Sequence, residues 1–506
     1  MKKGLSKSKY TRFCQCPKAL WLSTYKPEEA IEDAGAQARF EQGNEVGDLA
    51  MGLFGDYVEV TTQNADGSLN LNAMIEKTKE EVTRETAVIC EASFSFEKNY
   101  CAVDLLRKTK DGWSIYEVKS CSNSKEENYK KYASDITYQK WVLTQCGINV
   151  TGTHLVCLNS AYVRQGELNL QKLFAIVDMK EQVEEEYQKV PARVSQALKI
   201  VNSVQEPDDD LSECCNTPYV CAFFEYCKKL HGVLHDEPTV FDLYRMNFTK
   251  KLKLYHAGRI TFQDVVNEDL NNKQQKQVQC TLKQLEHINR DGIHEFLNKL
   301  TYPLYFLDFE TLQQAIPQFD GQQPYQQITF QYSLHIKQNA EKDYEHKEFL
   351  APSDGTDPRR SLAEQLCKDI PKDVCTLAYN KSFECGRIRE LSALYQDLSV
   401  HLTNIADHIV DLIEPFNAGH YYVPAMNGSF SIKSVLPALF PNEPSLDYHN
   451  LDVRCQNGGN AMTLFPQIQY MSPDEAAASR EALLRYCELD TWAMVKVWEK
   501  LKEVTE

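Results

Sequence analysis

The chain has 506 residues, 42% hydrophobic and 25% charged, with a formal net charge of −17. That length is too great for one ordinary core and implies about three units of globular composition. The acidic balance excludes a protein that coats nucleic acid through a broad basic surface, though acids that collect metal ions would add to the same count.

No apolar run reaches the roughly 18–20 residues of a membrane span. The start, Met1-Lys2-Lys3-Gly4-Leu5-Ser6, is basic but lacks the apolar core of a signal peptide. A cytoplasmic protein without membrane contact is expected. Seventeen cysteines in such a chain read mostly as scattered small core residues rather than a disulfide framework.

In chain order, Ser6 or Ser8 caps a short helix that Cys16-Pro17 stops. Residues 33–54 carry a helical apolar rhythm in Phe40, Val46, Leu49 and Leu53, and 72–86 form a charged helix. Strands are expected at Val88–Phe96, Cys101–Leu106 and Trp113–Lys119, the last two joined by a Lys110-Asp111-Gly112 turn. A helix over 125–146 bears Tyr138, Gln139 and Trp141, and Thr153–Leu158 is the last strand of this part.

Asp104 and the Glu117-Val118-Lys119 triplet thus fall on paired strands, with Glu117 and Lys119 on one face. Such a layout lets Asp104 and Glu117 hold a divalent metal while Lys119 positions water or steadies developing charge. Its bland counterpart is a cross-strand salt bridge.

Asp104, Glu117-Val118-Lys119 and Gln139 resemble the PD-(D/E)XK nuclease superfamily, and its RecB-like branch in particular, which carries the extra Gln on the following helix. The resemblance runs from Cys16-Pro17 to about residue 230 and implies catalytic roles for Lys119 and Gln139. Glu91 stands where the branch often has a further acid. Where the branch usually has a histidine, this chain reads Gly43-Asn44-Glu45-Val46-Gly47, with Glu45 as the stand-in.

The stretch Cys214 to Cys227 gathers Cys215, Cys221 and Cys227 among turn residues and aromatics, with Cys16, then Cys14, as candidates for a fourth thiolate. Four thiolates bind zinc or an iron–sulfur cluster, and spacing alone does not choose. The order resembles that of iron–sulfur RecB-like nucleases, including CRISPR adaptation nucleases, at a wider spacing. That resemblance implies a [4Fe–4S] cluster on Cys16, Cys215, Cys221 and Cys227, tying the N-terminus to the end of the domain.

Residues 233–300 are polar, with helical spacing, and read as a helical connector. Then Tyr305-Phe306-Leu307-Asp308-Phe309-Glu310-Thr311 ends an apolar run in two acids spaced i, i+2, which share one face of a strand. Two such acids repel each other unless a cation lies between them, and Mg2+ and Mn2+ prefer these hard ligands. Ile328, Phe330, Tyr332, Leu334 and Ile336 alternate as a half-buried strand. Val374–Tyr379 is a buried strand leading to Glu384 at a helix start, and Ile409–Leu412 a short strand bearing Asp411. Ser472-Pro473-Asp474-Glu475 is a capping box opening a helix with Tyr486 and Asp490 on one face.

These pieces resemble the tyrosine-type DEDD 3′–5′ exonucleases of the DnaQ-like, RNase H-like fold, over 301–506. The motifs are Asp308-Phe309-Glu310-Thr311, Asn380 to Glu384 with Glu in place of the usual Asp, and Tyr486 to Asp490. The resemblance implies two metals on Asp308, Glu310, Glu384 and Asp490, with Tyr486 orienting the attacking water and Lys433 contacting phosphate. Asp411 would support the site or substitute for Glu384.

The expected fold class is therefore α/β: a restriction-endonuclease-like domain with a cysteine-ligated cluster (1–232), a connector (233–300) and an RNase H-like domain (301–506). The order resembles a bacterial family that fuses an iron–sulfur RecB-like nuclease domain to a DnaQ-like exonuclease domain. It implies a Mg2+- or Mn2+-dependent nuclease acting on single-stranded DNA ends. The alternatives are an RNA exonuclease and a nucleic-acid-binding protein with degenerate sites.

Overall fold

The computed structural model describes residues 3–31, 35–123, 127–233 and 237–506. The chain divides into two compact units, Met1–Leu234 with Gln314–Gln326 and His235–Gln313 with Gln327–Glu506. Both are mixed α/β, and no helix among the described residues is long and apolar enough to cross a membrane. From His235 onward the stretch 233–300 counts with the second unit, as the helices Phe248–His256, Asn272–Lys283 and Arg290–Leu297.

The first unit holds a seven-stranded sheet. Its strands are β1 (Leu5–Ser6), β2 (Val58–Glu59), β3 (Val88–Phe96), β4 (Asn99–Thr109), β5 (Gly112–Ser122), β6 (Val150–Leu158) and β7 (Phe174–Asp178). The order is β2-β3-β4-β5-β6-β7, with β1 parallel to β4. β3, β4 and β5 form an antiparallel meander, and β5 pairs with β6 in parallel. At the β4–β5 turn a Cβ on Gly112 would come within 2.4 Å of the Asn149 carbonyl oxygen, so the turn needs glycine.

Ser6 caps helix α1 (Lys7–Gln15) by accepting from Lys9 N, and Pro17 opens the next helix, Pro17–Tyr25. The helix expected over 125–146 forms as Glu127–Lys130 and α2 (Ala133–Gln145), while 124–126 lie outside the described residues. Tyr138 of α2 stacks on Tyr10 at 4.6 Å and donates to the Leu5 carbonyl, which fixes α2 over the sheet. The rhythm at 33–54 becomes the helix Ala36–Met51, with 32–34 outside the described residues. Val46 is buried in it, and Leu53 in the 3-10 turn Gly52–Phe54 that follows, but Phe40 is 64% exposed and does not belong to the core stripe.

The second unit is built on a sheet ordered β11 (Glu345–Leu350), β10 (Gln327–Lys337), β9 (Leu304–Gln313), β12 (Cys375–Ala378) and β13 (Ile409–Asp411). Before it in sequence comes β8 (His287–Ile288), which pairs with the late β14 (Tyr421–Tyr422). β9, β10 and β11 are antiparallel neighbours, while β12 and β13 run parallel to β9. The helices that bear on function are α3 (Ser382–Leu394), α4 (Ile432–Leu439), α5 (Gly458–Gln467) and α6 (Pro473–Glu503). The capping box forms as read, with Ser472 N and Oγ donating to Glu475 Oε2 at 3.1 and 2.6 Å.

Alternation sorts the central strands. Tyr305, Leu307 and Phe309 of β9 join Tyr332, Leu334 and Ile336 of β10 in a core with Leu362, Ile388 and Leu402. The intervening residues face α6. Gln331 Nε2 donates to Leu483 O at 2.9 Å, and Ser333 Oγ and His335 Nδ1 meet Thr491 Oγ1 at 2.7 and 2.8 Å. The expectation of a half-buried β10 is thereby corrected: Ile328 through Ile336 are all buried. Its polar residues are satisfied by a covering helix rather than by water. A bulge between Thr329 and Gln331 shifts the phase, and Phe330 stacks on Phe465 of α5 at 4.0 Å.

Candidate active sites

In the second unit, β9 presents Asp308 and Glu310 to the face that α6 covers, and α6 supplies Asp490. The carboxylate oxygens of all three lie within 4.8 Å of one another. Burial, then the charge of Asp490, pushes Asp308 and Glu310 well above the usual carboxylate range, and burial also raises Asp490. Glu384, in the first turn of α3, is 2% exposed, and burial pushes it up to about 8. Its charge is felt at Asp308, and its Oε2 has no hydrogen-bond partner. Clustered carboxylates in such surroundings could hold a hard divalent cation.

Around them stand residues that fix the acids. Lys433 of α4 donates to Tyr486 Oη at 2.8 Å and lies 4.9 and 5.0 Å from the ring centres of Tyr486 and Tyr448. Tyr448 Oη donates to Asp490 Oδ1 at 2.6 Å. A Cβ on Gly458, at the start of α5, would lie 3.7 Å from Glu310 Oε2 and 3.8 Å from Tyr486 Oη, so this residue borders the site. Asp411 is not among the clustered acids. It accepts from the backbone N–H groups of Asn380, Lys381 and Ile413 at 2.8, 3.1 and 3.2 Å. It thus secures the turn, with Asn380 at φ +70°, that leads into α3 and Glu384.

The first unit also brings its acids together, but with a different occupant. Lys7 Nζ donates to Glu117 Oε1 and Oε2 at 2.8 and 2.9 Å and stands 3.9 Å from Asp104 Oδ1. Lys119 binds Glu117 Oε1 at 2.7 Å and Asp135 Oδ2 at 2.8 Å, and Gln139 Nε2 donates to Glu117 Oε2 at 2.6 Å. Burial opposes the charge on Glu117, yet Lys119 and Lys7 hold it down at about 2. Burial and Glu117 push Asp104 up to about 6, and burial beside Asp104 takes Glu91 to about 7. Glu91 also holds a left-handed φ of +57° within β3, a conformation that costs a non-glycine residue about 1 kcal/mol or more. Glu45 lies exposed on the helix Ala36–Met51 and takes no part in the Lys7–Glu117–Lys119 network.

Beside this network lies a cleft of about 680 Å³ whose lining has five basic residues, Arg12, Lys119, Lys130, Lys131 and Arg193, against the acids Asp135, Glu185 and Glu186, with Tyr132 and Tyr219. A separate small cavity is bordered by Cys16, Cys214, Cys215, Cys221 and Cys227, with Phe223 and Phe224. Cys214 hydrogen-bonds Cys16 and Cys215, which pushes its thiol down and theirs up. Cys14 is not at this cavity; it lines the basic cleft.

The chain's known relatives bear on one part of this picture. Residues 305–431 match the model of a domain of unknown function, DUF2779. That span contains Asp308, Glu310 and Glu384 but ends before Lys433, Tyr486 and Asp490. An uncharacterized protein of Mycoplasma pneumoniae is 24% identical over 212 residues, 39% of this chain and 32% of the relative. One of Mycoplasma genitalium is 26% identical over 217 residues, 40% of this chain and 32% of the relative. One of Ureaplasma parvum is 28% identical over 170 residues, 31% and 24%. The chain covers a third or less of the length of these curated relatives. No solved structure matches the chain at a significant level.

Sequence reasoning missed Lys7, Asp135, Tyr448, Gly458 and Cys214 as members of these sites. Lys7 lies in an ordinary basic N-terminus, and Tyr448 in a loop of short 3-10 turns, so neither carried a pattern. Cys214 was within sight, adjacent to Cys215 and nearer to Cys16.

Proposed function

We propose that the chain is a metal-dependent nuclease whose chemistry resides in the second unit, acting from the 3′ end of single-stranded DNA. The observation that carries this reading is the convergence of Asp308, Glu310 and Asp490; Glu384, whose charge is felt at Asp308, has an unpaired Oε2 besides. The donor set fits Mg2+ or Mn2+: all donors are oxygens, and Glu310, Glu384 and Asp490 are buried. Such ions, when bound, polarise a phosphodiester and lower the pKa of the attacking water.

The chain's own residues do the rest. Asp308, Glu310, Glu384 and Asp490 would hold the metal. Tyr448 locks the orientation of Asp490. Tyr486 presents its hydroxyl at the edge of the acids and would orient the water. Lys433, held on Tyr486 at 2.8 Å, keeps a positive charge where the phosphate would arrive. On this reading the second unit is the DnaQ-like, RNase H-like domain that the motifs resemble.

The first unit is read as a RecB-like PD-(D/E)XK domain that grips the strand rather than cutting it. Lys7 supplies the positive charge that a metal would otherwise bring to Glu117, while Arg12, Lys130 and Lys131 of the cleft, with Tyr132 and Tyr219, suit a single strand. The cysteines are read as ligands of a [4Fe–4S] cluster with a structural role. Zinc on the same thiolates is the alternative. Iron and sulfide content after oxygen-free purification tests this assignment.

The function itself is tested with matched DNA and RNA strands, labelled at the 5′ end, in Mg2+ and in Mn2+. Stepwise shortening of the DNA from its 3′ end supports the reading. Faster shortening of the RNA moves the substrate to RNA. Binding without cleavage in either metal overturns it in favour of a binding protein.

A further inference from the structure

A second group of metal-type ligands lies on the far side of α6 from the acids. Along α6, Tyr486 and Asp490 are four residues apart and share a face, whereas Glu488 between them is turned about 200° away from each. Glu488 meets His335 of β10 and His346 of β11, with one ligand atom from each within 4.8 Å of the others. His346 Nδ1 stands 3.9 Å from Glu488 Oε1, and the two rings stack at 4.6 Å. Arg485 holds the other carboxylate oxygen, Oε2, at 2.8 Å, which leaves Oε1 for the histidines.

The protons in this group can be counted. Thr491 Oγ1 contacts the Glu488 carbonyl at 3.1 Å, and a carbonyl only accepts, so Thr491 spends its one proton there. Ser333 Oγ, 2.7 Å from Thr491 Oγ1, must then donate to it, as must His335 Nδ1 at 2.8 Å. With its proton spent, Ser333 can only accept from His346 Nε2, at 3.0 Å. These bonds place a proton on His335 Nδ1 and on His346 Nε2, and so leave His335 Nε2 and His346 Nδ1 as the ring nitrogens open to a metal.

We propose that His335, His346 and Glu488 bind a zinc ion at a site distinct from the carboxylate cluster. Two imidazoles and one carboxylate are a zinc donor set, and the imidazoles make it a poor site for magnesium. Ser333 and Thr491 hold the outer nitrogen of each ring, as partners of metal-bound histidines commonly do. All three ligands border a cavity of about 880 Å³ that Trp492, Tyr344, Leu489 and Arg454 also line. A tetrahedral ion on three protein donors keeps its fourth position toward that cavity, the arrangement of a site that takes a water or a small ligand.

The proposal does not rest on the nuclease reading, because its readout is metal content rather than cleavage. Untagged full-length protein is stripped with chelator and titrated with Zn2+ under saturating Mg2+, beside His346→Gln and Glu488→Gln. Zinc on the cysteines is a background shared by all three proteins. Wild type is expected to take up one equivalent more than either variant. With Co2+ as the probe, the visible bands of a nitrogen–oxygen site are expected to vanish in His346→Gln while sulfur charge-transfer bands persist. Thr491→Val, which keeps all three ligands, is expected to weaken zinc about 10–100-fold. Equal zinc stoichiometry in wild type and both ligand variants, at equal circular dichroism, would overturn the proposal.

Discussion

The two carboxylate sites of this chain start from similar material and end in opposite electrostatic states. In the first unit Glu117 is met by Lys7, Lys119 and Gln139, and its carboxyl is held near 2. In the second, Asp308, Glu310 and Asp490 face one another, Glu384 is buried near enough to act on Asp308, and each is pushed upward. The nearest cation, Lys433, is bound to a tyrosine instead. The difference teaches how an ion-pair network is told from a metal site. Both concentrate acids, but only the first binds them directly with lysines, so on the proposed reading the second gains more from a divalent ion.

The largest expected effect follows from removing a ligand in the uncompensated site. Asp490→Asn should lower 3′-end shortening on the order of 10³-fold, measured under single-turnover conditions. Tyr486→Phe keeps the acids but loses the hydroxyl that orients water, and a fall of about 10²-fold in the same assay is expected. Lys119→Ala, in the compensated site, should change the shortening rate by less than about threefold on saturating substrate, since on this account it touches grip and not chemistry.

Lys7→Met would turn one site toward the other. Removing the internal cation leaves Glu117 and Asp104 with one lysine fewer, so Mn2+ should bind there about tenfold more tightly by calorimetry. Chemical denaturation should show a loss of about 2 kcal/mol, because Lys119 and Gln139 still partner the buried carboxylate. An unchanged Mn2+ affinity would break the comparison.

The smallest effect is a pair of opposite pH slopes in the metal-free protein. Glu117 is depressed, so its stabilisation is present above its unfolded value of about 4.5 and is lost as pH falls toward 2. Glu384 is raised to about 8, so the folded state binds more protons than the unfolded one between about pH 4.5 and 8. Stability should therefore fall as pH rises through that window. Melting of chelator-treated protein between pH 6 and 9 should drop by about 2–4 °C per kcal/mol lost. Saturating Mg2+ should flatten the slope.

Much of the second unit was legible because its signals were local. The acids at i and i+2, the capping box before α6 and the Tyr486/Asp490 spacing each follow from the period of one element. The first unit's main strands were legible for the same reason, through alternation and the glycine turn. β1 and β2, two residues each, are too short to show any period. What stayed hidden was long-range. Lys7 reaches Glu117 across 110 positions, and Tyr448 reaches Asp490 from a loop without pattern. The polar residues of β10 read as solvent-facing until α6 was seen to cover them, and the same covering brought His335 toward His346 and Glu488.

The claim that divides the two sites is tested most directly by counting manganese ions that magnesium can displace on the intact chain at pH 8. Wild type is compared with Asp308→Asn and Glu117→Gln. The account predicts displaceable manganese in wild type, its loss in Asp308→Asn, and its retention in Glu117→Gln. Manganese lost from Glu117→Gln but kept by Asp308→Asn would place the metal in the wrong unit and contradict the account.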